Sequence, residues 1–108
     1  MSKVTDIVIL TSLDENEDGV NHLNDYLESG VLSPRVGRAL KQISTHAGGD
    51  KTFCGRLYAA SINYLDVSAF IEKACGAPWV MPQAVQFLVQ CEADGCFHRV
   101  YLVSGKRL

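Results

Sequence analysis

Long apolar runs are missing from this chain. The stretch Ile7-Val8-Ile9-Leu10 near its start is far too short for a membrane span or for the core of an export signal. The expectation is a cytoplasmic protein with no membrane partner. A surplus of one charge is missing too. Ten Lys and Arg against 12 Asp and Glu give a formal net charge of -2 and a pI near 5.8. Nucleic acid is therefore not an expected partner, because displacing its counterions takes concentrated Lys and Arg. Repeats, low-complexity tracts and dividing linkers are also absent, so residues 1–108 read as one domain. Neither G-x-x-x-x-G-K-[ST] nor G-x-G-x-x-G occurs, and no paired C-x-x-C, triad order or spaced carboxylate dyad is found. These gaps weigh against an enzyme, and no cofactor is expected.

What is present is an ordinary globular composition, 47% hydrophobic and 20% charged, in a chain long enough to bury one core. The β-branched centre of "VTDIVILTSL" predicts a strand buried on both faces and central in a sheet. Asp14 and Glu17 have capping-box spacing. Val20, Leu23 and Leu27 then line one helix face up to Gly30. Residues 34–46 read either as helix or as strand. Ser33-Pro34 resembles a helix start, with Val36, Leu40 and Ile43 at helical spacing, and a strand from about residue 39 is favoured after a short helical turn. "CGRLYAASINY", from Cys54 to Tyr64, predicts a strand. Asp66 then caps a helix with Val67, Phe70, Ile71 and Ala74 inside, closed by Gly76 and Pro78. "AVQFLVQ" and "FHRVYLV" alternate around Asp94-Gly95 and predict a hairpin. The order β-α-β-β-α-β-β fits an α+β, ferredoxin-like two-layer sandwich, with a mostly antiparallel sheet, helices on one face and an added C-terminal hairpin strand.

Four patterns could carry chemistry. In the hairpin, Cys91, Cys96 and His98 fall on one face with Phe87, Val89, Val100 and Leu102, whether the loop has two residues or four. A fourth ligand from Cys54 or Cys75 would complete a zinc set. A Cys91–Cys96 disulfide requires the four-residue loop, and the plain alternative is thiols packed at the edge of the core. In the acidic loop 14–25, Asp14, Asn16, Asp18 and Asp25 have the spacing of calcium ligands, with Gly19 at the turn, although Asp25 replaces the usual Glu. The same residues also suit a plain acidic helix cap.

Gly48, Gly49, Lys51 and Arg56 could cradle an anion, and His46 with Cys54, beside Tyr58, could form a base and nucleophile. In "GAPWVMPQ", Trp79 stands between Pro78 and Pro82, next to Met81. The four read either as a stiffened protein-binding anchor or as a plug closing the core. The favoured function is a small non-enzymatic binding module with a protein partner or a second copy of itself, such as an inhibitor, an immunity protein or a phage-type antagonist. The alternatives are a metal or small-ligand sensor using loop 14–25 or hairpin 91–98, and a small enzyme with a cleft near Cys54 and His46.

Overall fold

The computed structural model describes residues 4–29, 39–43, 48–50 and 54–102. Their elements run β1 (Val4–Ser12), α1 (Asp18–Glu28), β2 (Lys41–Ile43), β3 (Gly55–Asn63), α2 (Val67–Cys75), a 3₁₀ turn (Pro82–Ala84), β4 (Gln86–Cys91) and β5 (His98–Val100). The result is a small α+β fold with a five-stranded antiparallel sheet, in the order β2-β3-β1-β4-β5, and two helices. β1 is central, as its apolar run predicts. It is not buried equally on both sides. Thr5, Ile7, Ile9 and Thr11 are buried, and the residues alternating with them are half-buried. Two neighbouring strands and one helix layer suffice to give that asymmetry.

The helices form where apolar spacing predicts them. α1 buries Val20, Leu23 and Leu27, and α2 buries Phe70, Ile71 and Ala74. These join Ile7, Ile9, Tyr58, Ile62, Phe87, Val89 and Val100 in one cluster, so both helices cover the same sheet face. Phe70 packs at its centre, 5.6 Å from the Phe87 ring and 6.3 Å from that of Tyr26. Asp66 caps α2 by accepting the Ala69 N–H at 3.1 Å, and Gly76 ends the helix.

The start of α1 differs from the capping-box expectation. Its first turn begins at Asp18, and Glu17 at the cap position makes no side-chain cap bond. Asn16 Oδ1 instead accepts the Asp18 N–H at 3.0 Å. Asp14 and Glu17 do not form a box because the helix starts at Asp18, which leaves Asp14 three residues short of the cap position. The stop at Gly30, the Ser33-Pro34 helical turn and Val36 lie outside the described residues. Leu40 is buried, and the favoured strand appears as β2. Asn24 of α1 ties its approach, donating Nδ2–H to the Leu40 carbonyl at 3.2 Å and accepting the Leu40 N–H at 2.7 Å.

Candidate functional site

The sheet face opposite the helices carries the residues of the other parity. Cross-strand pairing sets Lys41, Ala59, Val8, Leu88 and Arg99 in one row, and Ile43, Leu57, Leu10 and Gln86 in the next. Val8, Leu10, Leu57, Ala59 and Leu88 are half-buried, and Ile43 is 46% exposed. Among the described residues neither helix packs here, since their buried side chains belong to the cluster on the other side. Asp6 lies beside Val8 along the face and accepts the Ser61 hydroxyl at 2.6 Å. At one end Leu10, Ser12, Leu57, Ala84, Gln86 and Cys54 border an open cleft of about 340 Å³. The Ser12 hydroxyl oxygen is buried there with no hydrogen-bond partner among the described residues.

The hairpin pairs Val89 with His98 and Phe87 with Val100. This is the four-residue-loop register, so Val100 rather than Leu102 faces Phe87. Parity keeps Cys91, Cys96 and His98 on the helix side of the sheet, but the core ends before it reaches them. Cys91 is half-buried, Cys96 is exposed and the His98 side chain is 57% exposed. Cys96 and His98 stand at the exposed turn end of the hairpin, where β5 begins only at His98. His98 Nε2 lies 3.9 Å from Cys96 Sγ and 3.7 Å from Asp94 Oδ2. All four cysteines are free thiols.

The chain matches no protein-family model, no curated protein and no solved structure. What the molecule can do must be read from its own surfaces. Among the described residues, no three His, Cys, Asp or Glu side chains gather closely enough to hold a metal ion. The acidic loop does not wrap around a centre. Asn16 caps the helix, while Asp14, Asp18 and Asp25 are exposed, with Asp18 and Asp25 on α1 itself.

The buried member of that loop, Glu15, was not singled out by its spacing. It is 2% exposed, and its Oε2 and Oε1 accept the N–H groups of Val80 and Met81 at 2.8 and 3.0 Å. This carboxylate clamps the Pro-flanked loop onto the start of α1. Trp79 is thereby held inward, 8% exposed, with its indole N–H donating to the Ala74 carbonyl at 2.7 Å. Of the two readings of this loop, the ring's burial is that of the core plug. Trp79 plugs the core, leaving Pro78 and Val80 exposed and Met81 and Pro82 half-buried. Gly19 is required beneath it, because a Cβ there would strike the indole at Cε3, Cζ3 and Cδ2.

The anion cradle and the nucleophile pair each include a residue outside the described ones. Lys51 and His46 lie outside them, and Gly48 and Gly49 are exposed. The Arg56 guanidinium is engaged, donating to the Glu15 carbonyl oxygen at 2.7 Å. Tyr58 is buried in the core, whereas Cys54 is exposed at the cleft mouth. Burial pushes the Tyr58 phenol above its ordinary value of 10.0. The negative charge of Glu17 adds to the shift and Arg56 opposes it.

Proposed function

We propose that this chain is a small binding module that works through protein contact, with a second copy of itself as the occupant of the open sheet face. The observation that carries the reading is the apolar field of Val8, Leu10, Leu57, Ala59, Leu88 and Ile43, which no helix covers among the described residues and which polar residues rim. An apolar patch with a polar rim is the usual anatomy of a contact surface.

The charges on this face favour self-association. Lys41 and Arg99 stand at opposite ends of the Val8 row, about two strand spacings of ~4.8 Å from it. Asp6 lies two residues from Val8 along β1, or ~7 Å. When two such faces pack with their strands crossed near 90°, the row of one copy runs along β1 of the other. Either in-plane diagonal two-fold then brings Lys41 or Arg99 of one copy towards Asp6 of its partner. The small net charge of -2 adds little repulsion between copies.

The order β2-β3-β1-β4, with one helix before β2 and one before β4, supports the ferredoxin-like reading, β5 being the added hairpin strand. That fold carries no function by itself. A second reading, small-ligand binding in the cleft, is favoured by its volume and by the buried Ser12 hydroxyl, which has no partner among the described residues.

Sedimentation equilibrium of the wild type and of Leu88→Lys tests the main reading. A wild-type dimer that becomes a folded monomer on substitution is the expected result. A wild type that stays monomeric, or a dimer indifferent to Leu88→Lys, would overturn it.

A further inference from the structure

The hairpin tip has a chemistry of its own, on the helix side of the sheet and separate from the open face. The paired ladder ends at Val89↔His98, before Cys96; carried two residues further, the same register would set Cys91 against Cys96. The loop between them is a closed turn. The Asp94 N–H donates to the Cys91 carbonyl at 2.9 Å, and the Asp94 side chain accepts the Cys91 N–H at 3.1 Å. Gly95, at a φ of 74°, then turns the chain back, a conformation that favours glycine. Directly opposed residues of an antiparallel pair have Cα atoms about 4.5–5.5 Å apart, inside the range of about 4.4–6.8 Å that a disulfide spans.

The two thiols are not equivalent. Cys96 is exposed, with its Sγ 3.9 Å from His98 Nε2, while Cys91 is half-buried. The same imidazole nitrogen lies 3.7 Å from Asp94 Oδ2. An accessible thiol beside a base, with a second thiol across the strand, is the arrangement of an attacking and a resolving cysteine.

We propose that Cys96 and Cys91 form a hydroperoxide-reactive dithiol, with His98 accepting the proton of the attacking thiol. In the first step Cys96 Sγ attacks one oxygen of hydrogen peroxide as its proton passes to His98. The O–O bond breaks, the leaving hydroxide takes that proton as water, and Cys96 becomes a sulfenic acid. In the second step Cys91 Sγ attacks the Cys96 sulfur and the S–O bond breaks. The hydroxide leaves with the Cys91 proton as a second water. Two thiols lose two electrons in total, and one peroxide is reduced to two waters.

The test treats the reduced, full-length chain with hydrogen peroxide and digests it with a protease that cuts after glutamate. In a Cys75→Ser background, cleavage at Glu72 and Glu92 leaves Cys91 as the one cysteine of residues 73–92 and Cys96 as the one cysteine after Glu92. The expected result is that these peptides remain joined, with the loss of two hydrogens. In Cys91→Ser a 1,3-dione should label a sulfenic acid at Cys96, and in Cys96→Ser no joined pair should form. His98→Gln should slow oxidation of Cys96 by roughly tenfold, as expected on losing a nearby base. Oxidation spread over the remaining cysteines without this link would overturn the proposal, as would an unchanged rate in His98→Gln.

Discussion

Replacing Gly19 with alanine should destabilise this protein, although the same change in most helices stabilises them. In an open helical position alanine is favoured over glycine by up to about 1 kcal/mol. Here the added Cβ would lie 2.5 Å from Cζ3 and 2.7 Å from Cδ2 of Trp79, with Cε3 nearer still. These are ring atoms of a side chain pinned by its indole bond to Ala74 and by the Glu15 clamp on the next two residues. The ring cannot turn aside without breaking one of those bonds. Overpacking a filled site costs about 1–3 kcal/mol, and the helix term offsets a fraction of it at this first-turn position. A net loss of about 1–2 kcal/mol lowers the melting midpoint by roughly 5–10 °C for a domain of this size. Thermal unfolding followed by circular dichroism reads the midpoint, and fluorescence of Trp79, the single tryptophan, reports its surroundings. A midpoint equal to or above that of the wild type, with unchanged fluorescence, would refute the packing described.

Glu15→Gln keeps one acceptor but turns an NH₂ towards a backbone N–H, so stability to urea should fall by about 1–3 kcal/mol, with a blunted near-ultraviolet signal from Trp79. Asn24→Leu removes both bonds to Leu40, and hydrogen exchange at the Leu40 amide should quicken while the amides of β1 stay protected. Tyr58 makes a pH prediction. Its phenol is raised in the folded state, so the native protein holds a proton that the unfolded chain releases first. The stability linked to it is complete below pH 10 and is lost as the pH rises through the higher folded value. In Tyr58→Phe, stability should fall less steeply above pH 10 than in the wild type, as measured by urea titration at several alkaline pH values. Equal slopes would remove Tyr58 from the linkage.

Helices and strands were legible wherever local spacing decides them. Val20, Leu23 and Leu27 repeat at helical intervals and are all buried, and Phe87, Val89 and Val100 alternate and line the core. The centrality of β1 showed in its unbroken Ile7–Leu10 run. Glu15 did not show, because its partners Val80 and Met81 lie 65 and 66 residues away, and a lone Glu in an acidic stretch looks solvated. The role of Gly19 was obscured for a related reason: its position matched a calcium-loop glycine, but its neighbour in space is Trp79. Parity put Cys91 on the face of Phe87 and Val89. It could not tell where the helix layer stops, which depends on how α1 and α2 lie across the sheet. The open face was equally hidden. Val8, Leu10, Leu57 and Leu88 look like core residues until one face of the sheet is seen to carry no helix among the described residues.

The central claim, that this face is closed by a second copy, is tested most directly by isotope-filtered nuclear Overhauser spectra of a mixture of labelled and unlabelled chains. Contacts between copies should arise among the methyl groups of Val8, Leu10, Leu57 and Leu88, with none from Leu23 or Ile71 in the helix layer. An absence of contacts between copies at concentrations that favour association would contradict it, as would contacts confined to the helices.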